Sequence, residues 1–364
     1  MSSRIPLLTV AVSFFLLAAV IVWVASHADD RTAASQTGPV TSPAKANAGA
    51  QTINKTKDHP PATADEAPAD KADAPATAQP ATSDPNEDDT AVFSPPARDA
   101  IPDNEFGAMV RKGEQIFTNT QQHAGPFVGN DLQCANCHLD AGRLADSAPL
   151  WAAWGMYPAY RGKNKHVNDF AERIQGCFRY SMNGTAPPRG DDVLTALQTY
   201  AYWLASGAPV GKKMPGAGYP KLDEPEQPPS YARGEKVFET HCALCHGSDG
   251  QGQRAADGSI AFPPLWGARS FNWGAGMHRV NTAAGFIKAN MPLGAATLSD
   301  QQAWDVAQYI DSQPRPQDPR FNGSVAETAE KYHGKQSMYG KTVNGRVLGE
   351  NAPPAGTVPR TGKP

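Results

Sequence analysis

"CANCH" at 134–138 and "CALCH" at 242–246 decide how this 364-residue chain is read. C-x-x-C-H is the attachment signature of c-type haem. Two thiols at that spacing reach the two vinyl groups of one porphyrin, and the adjacent histidine reaches its iron. A zinc knuckle would need two further ligands per site, and a redox dithiol has no use for the trailing histidine. Two copies in one chain make haem the better reading. Cys134, Cys137, Cys242 and Cys245 are the attachment thiols, and His138 and His246 the proximal iron ligands.

The surroundings of the two motifs repeat as well. "RKGEQIF" (111–117) precedes the first and "ARGEKVF" (232–238) the second. Downstream, Val193, Leu197, Tyr200 and Leu204 recur at helical spacing, as do Ala303, Val306, Ala307 and Ile310. Ser299 with Gln302 has the form of a capping box. The expected class is mainly α, with two cytochrome c-type haem domains in tandem at 101–214 and 230–313. The proline-rich stretch 215–229 reads as a linker between them, and 314–364 as an extension without an assignable fold.

The N-terminal region prepares export. Arg4 is followed by an uncharged, apolar run from Ile5 to Ser26. Ser26-His27-Ala28 suits signal cleavage, but the run approaches the roughly 20 residues that cross a bilayer. Residues 1–28 are therefore read as a signal peptide or an anchor, the anchor preferred, with the mature chain in the periplasm and tethered to the inner membrane. Residues 29–100, rich in Ala, Pro, Thr and Asp, read as a disordered tether. A net charge of −3 gives no reason to invoke nucleic acid as a partner.

The sixth ligands differ in legibility. In the second copy "ANMPLG" (289–294) stands before the last helix, which makes Met291 the candidate over Met277 and His278. A His/Met site raises the potential and suits electron transfer. The first copy has no such loop. Its candidates are Met156, His166, Met182 and Cys177, the one cysteine outside a C-x-x-C-H motif. A thiolate ligates haem iron well and lowers its potential. A packed inert thiol and an intermolecular disulfide remain open alternatives from the residues alone.

"CANCHLDAGR", "YPAYRGK", "ERIQGCFRYSMNG" and a second haem domain with "ANMPLG" together resemble the dihaem thiosulfate dehydrogenases. The first domain of that family is similar to the SoxA cytochromes, where cysteine ligates haem. The resemblance implies His138/Cys177 ligation at an active-site haem and His246/Met291 ligation at an electron-transfer haem, two covalent haem c in all. It implies oxidation of two thiosulfates to tetrathionate, with electrons leaving to a soluble or membrane cytochrome c-type acceptor. Some relatives run the reverse, tetrathionate reduction. Some members carry a lysine before the second-haem methionine; Asn290 stands there in this chain and Lys288 is the nearest lysine, so no lysine switch carries over.

Two dianions about 4 Å apart repel by roughly 4 kcal/mol even in bulk water. The site therefore needs cations, and arginine forks suit sulfonate-like oxygens. By the resemblance, Arg161 and Arg173 bind the anions with Ser181 as a hydroxyl donor; Lys163 and Arg143 are weaker candidates, and Arg179 reads as surface charge. A membrane-tethered dihaem electron carrier without substrate chemistry is the alternative.

Overall fold

The computed structural model describes residues 91–356. The signal or anchor segment 1–28 and the tether up to residue 90 lie outside the described residues. Among the described residues no helix is long and apolar enough to cross a membrane.

Among the described residues seven helices of eight residues or more carry the architecture, and the expected mainly-α class is what forms. They are α1 (Glu105–Thr118), α2 (Phe170–Tyr180), α3 (Asp192–Leu204), α4 (Tyr231–His241), α5 (Val280–Asn290), α6 (Asp300–Asp311) and α7 (Val325–Tyr332). Most begin at a side-chain cap. Asn104, Asp169, Asp191, Ser230 and Ser299 each accept a first-turn N–H, which satisfies an orphan donor there. Ser299 and Gln302 form the reciprocal box expected of them.

The internal repeat becomes a repeated helix crossing. In the first lobe α1 packs on α3, and Gly113 lies so close to the Ala196 carbonyl that a Cβ there would collide with it. In the second, α4 packs on α6, and Gly234 meets the Asp305 carbonyl in the same way. Four residues after each glycine an aromatic ring fills the crossing. Phe117 lies 5.9 Å from Tyr200, and Phe238 lies 5.4 Å from Tyr309. The periodic residues Leu197, Tyr200, Leu204, Ala303, Val306, Ala307 and Ile310 are all buried in one core or the other.

Polar side chains fasten one lobe to the other. Asp131 takes Arg269 and, at 2.6 Å, Arg254. Asn130 Nδ2 donates to the Ser181 and Ser270 carbonyls at 2.8 and 3.2 Å. Asn272 Nδ2 donates to the Arg179 carbonyl at 2.9 Å.

Three segments are more ordered than their composition suggests. Residues 91–100, read as the end of the tether, lie against the first lobe: Phe93 sits 5.5 Å from Trp151, and Arg98 pairs with Glu114 and Asp140. The proline-rich segment 215–229 crosses the first haem motif, its Gly216 and Gly218 carbonyls accepting the Asp146 and Ala148 N–H groups at 2.8 Å. The C-terminal extension packs onto the second core through Met338, Tyr339 and Leu348. Its Gln317 joins Gly349 and Tyr339, and Tyr339 packs 5.5 Å from Trp273.

Candidate active site

The first C-x-x-C-H turns into a short 3-10 helix at Cys134–Asn136. Thr120 anchors it: its hydroxyl accepts the Cys134 N–H at 3.1 Å and lies 3.5 Å from the Cys134 sulfur. After the histidine, Asp140 and Ala141 hold φ at 48° and 54°. That left-handed conformation is uncommon for residues with a Cβ. It turns the chain so that the Gly142 N–H donates to the His138 carbonyl at 2.9 Å.

His138 Nδ1 lies 2.7 Å from the Ala148 carbonyl. A carbonyl accepts only from N–H, so Nδ1 carries the proton and Nε2 is left as the donor atom. Burial pulls this imidazole down to about 4, which keeps it neutral. Burial likewise pushes the Cys134 and Cys137 thiols up to about 12 and about 11, with the nearby Cys177 adding to both. Cys177 therefore lies beside the first motif although 39 residues separate it from His138.

Helix α2 brings it there. Arg173, Cys177 and Tyr180 are spaced i, i+4, i+7 and share one helix face. Arg173 Nη1 donates to Cys177 Sγ at 2.9 Å. Ser181 caps the helix, its N–H donating to the Cys177 carbonyl. Met156 is exposed, His166 is at the surface on Glu172 at 2.8 Å, and Met182 is buried in the first core.

The remaining cations separate into roles. Arg161 lies exposed on the strand Ala159–Arg161, 5.9 Å from the Tyr157 ring. Arg143 donates to the Pro95 and Pro96 carbonyls, while its Nη1 is buried with no protein partner. Arg179 is exposed, and Arg189 pairs with Asp169 at 2.6 Å. Lys163 is the least ordinary. Its ammonium sits 3.4 Å from the centre of the Tyr180 ring and donates to the Gly274 carbonyl at 2.5 Å. Burial first, then the charge of Arg320, pull it down to about 7.

The second motif repeats the histidine geometry. His246 Nδ1 lies 2.9 Å from the Pro263 carbonyl, and burial lowers its basicity. Met291 ends α5 in extended backbone and packs against the second core. Its competitor His278 is buried, with Nδ1 on the Ala275 carbonyl and Nε2 3.2 Å from His333. Asn290 Nδ2 donates to the Asp146 carbonyl at 3.2 Å, and Lys288 pairs with Asp300 at 3.0 Å.

These donors fit covalently bound haem c. Each motif offers two thiols and a neutral imidazole whose other nitrogen is fixed on a backbone carbonyl. The buried Arg143 Nη1 beside the first motif suits a propionate. Tyr180, Gly274, Asp318 and Arg320 gather around Lys163, and the sequence reading singled out none of them. Tyr180 was within reach, standing at i+7 from Arg173. Arg320 carries no local signal, since only the fold returns it to α2.

Comparison with known proteins agrees with this arrangement. The family model "Cytochrome c" matches residues 231–314. A thiosulfate dehydrogenase of Thiomonas intermedia (strain K12) is 57% identical over 266 residues, covering 72% of this chain and 84% of that protein. Another, from Stutzerimonas stutzeri (strain A1501), is 53% identical over 262 residues, covering 71% and 85%. Among solved structures, thiosulfate dehydrogenase (TsdBA) from Marichromatium purpuratum in its as-isolated form superposes with a TM-score of 0.69 at 54% identity. That match covers 71% of this chain and 58% of the other. With identity above one half over most of both curated relatives, the chain belongs to the thiosulfate dehydrogenase family.

Proposed function

We propose that the chain joins two thiosulfates into tetrathionate and passes two electrons, one at a time, to a partner cytochrome c, a reaction that is reversible in principle. The Arg173–Cys177 contact beside the first haem motif is the observation that carries this reading. A pure electron carrier has no need of a guanidinium on a thiol. Two haem c groups would be held here, one by Cys134, Cys137, His138 and Cys177, the other by Cys242, Cys245, His246 and Met291, and would supply one-electron chemistry. Residues 101–214 hold the active-site group and 230–313 the electron-transfer group. The apolar stretch 5–26 supports export to the periplasm, and its length supports an inner-membrane tether.

Bound haem supplies the one-electron acceptors for this reaction. The side chains do the rest. Arg173 and Arg161 neutralise the two dianions, and Ser181 donates its hydroxyl to a sulfonate oxygen. Holding both substrates with their terminal sulfurs facing converts an encounter of like charges into a preorganised one. The Cys177 sulfur is itself a nucleophile. Loss of two electrons joins Cys177 thiolate to the terminal sulfur of one thiosulfate. Attack by the second thiosulfate then releases tetrathionate and returns the thiolate, so charge and sulfur balance.

The test is the visible and electron paramagnetic resonance spectra of the purified soluble part, with thiosulfate oxidation followed by ferricyanide. A low-spin thiolate-ligated haem that vanishes in Cys177→Gly together with activity is the expected result. Two His/Met haems and no thiosulfate activity would make the chain a carrier. Mass spectrometry of substrate-treated protein tests the sulfur adduct on Cys177.

A further inference from the structure

Tyr180 continues the active face of α2, and two cations converge on its ring. Lys163 Nζ lies 3.4 Å from the ring centre and the Arg320 guanidinium carbon 5.3 Å from it. Arg320 comes from the C-terminal extension. Nothing in the sequence near it marks it out, yet it is firmly held. Its Nε and Nη2 grip Asp318 at 2.9 and 2.6 Å, and its guanidinium carbon lies 4.3 Å from the centre of the Tyr332 ring. His333 Nε2 lies 3.0 Å from Asp318, and the His333 ring stacks on Tyr339 at 4.3 Å. The fork uses Nε and Nη2, so the Nη1 donors lie outside the pair.

The charge balance at this ring is unusual. Around Lys163 stand the positive groups Arg320, Arg173 and Arg279, against the single carboxylate Asp318. Packing the extension would not require concentrating cations beside a lysine. An anion among them offsets that repulsion. Arg173 also holds Cys177, so this cationic group extends outward from the sulfur site along one helix face.

We propose that Arg320 is a substrate-binding cation of the Cys177 site, lent by the C-terminal extension to hold the sulfonate end of the outer thiosulfate, and of tetrathionate, beside Lys163. Asp318 and His333 are its positioning residues. The assignment rests on the thiosulfate reading above and adds a binding residue to it.

The test uses the full-length holoprotein. Arg320→Met keeps the side-chain bulk and removes the charge. The expected result is a rise of about tenfold or more in the KM for thiosulfate, with kcat within about twofold. The dissociation constant for tetrathionate, titrated calorimetrically into the oxidised protein, rises in parallel. The haem spectra stay as in the wild type. Arg320→Lys restores most of the affinity, and Lys335→Met, exposed on the same extension, changes nothing. If Arg320→Met fails to assemble, Arg320→Gln, which still donates to Asp318, gives the same KM shift. A KM and a tetrathionate affinity within about twofold of wild type in a folded Arg320 variant overturn the proposal and leave Arg320 as a packing residue. Wild-type protein with neither thiosulfate oxidation nor tetrathionate binding overturns the functional reading itself, whatever the variants do.

Discussion

Arg173 and Lys163 face the same small region of α2 with opposite amounts of freedom. Arg173 donates to Cys177 Sγ at 2.9 Å, and its neighbour Cys177 is the largest influence raising the guanidinium above its ordinary value. A lysine there keeps the charge and loses the fork. Arg173→Lys is expected to lower kcat/KM for thiosulfate by about a hundredfold, the scale of one or two charge-assisted bonds, read by steady-state ferricyanide kinetics. Lys163 is instead near its titration point, drawn down to about 7 by burial and then by Arg320, Arg173 and Arg279 against Asp318. Its ammonium is charged below that value and neutral above it. The KM for thiosulfate should rise by about tenfold between pH 6 and 8 as the charged fraction falls. Lys163→Met should flatten the profile at the high-pH KM. A wild-type profile that is already flat would remove Lys163 from the anion site.

At the scale of elements, the two lobes use one device twice; the repeat was readable in advance, the close glycine crossing was not. The Gly-x-x-x-Phe pattern before each C-x-x-C-H places a glycine where α1 meets α3 and α4 meets α6, with an aromatic ring one turn later. Gly113→Ala and Gly234→Ala each push a methyl group into a partner backbone carbonyl. Overpacking of this kind costs about 1–3 kcal/mol. Lower thermal midpoints of the holoproteins, with unchanged haem spectra, are the expected measurement. The capping box at Ser299 and the apolar faces of α3 and α6 were equally legible, because helix periodicity and caps are local. Segments without periodicity were not. Phe93 and Arg98 sit in what composition alone marks as tether, and they dock because Trp151, Glu114 and Asp140 happen to face them. Composition does not say which partner a loop will find.

At the scale of the whole molecule, long-range polar pairs decide what the sequence could not. Asp131 and Arg269 are 138 residues apart, and Arg320 lies 140 positions after Tyr180. Cys177 was legible only because a cysteine outside the motifs calls for a reason; an arginine in a polar tail calls for none. The extension nonetheless reaches the Tyr180 ring through Arg320, and its hold can be tested through Asp318. Burial would raise that carboxyl, but the bonds from Arg320 and His333 overcome it and hold it well below the ordinary 3.8. A depressed carboxyl stabilises the fold above its unfolded value, and that contribution fades as pH falls through 3.8 toward the folded value. Asp318→Asn keeps the shape and removes the charge, leaving Arg320 without its counter-ion. At neutral pH the variant is expected to lose on the order of 3 kcal/mol, the cost of breaking a largely buried pair. The gap in thermal midpoint between wild type and Asp318→Asn should be widest near pH 7 and should narrow steadily below about pH 4, since acid removes from the wild type what the substitution has already removed. Equal gaps at all pH values would mean that Asp318 acts through packing alone. A narrowing gap accompanied by a raised KM for thiosulfate at pH 7 would tie the extension's anchor to the anion site, because the same carboxylate that fixes the tail also aims Arg320 at Tyr180.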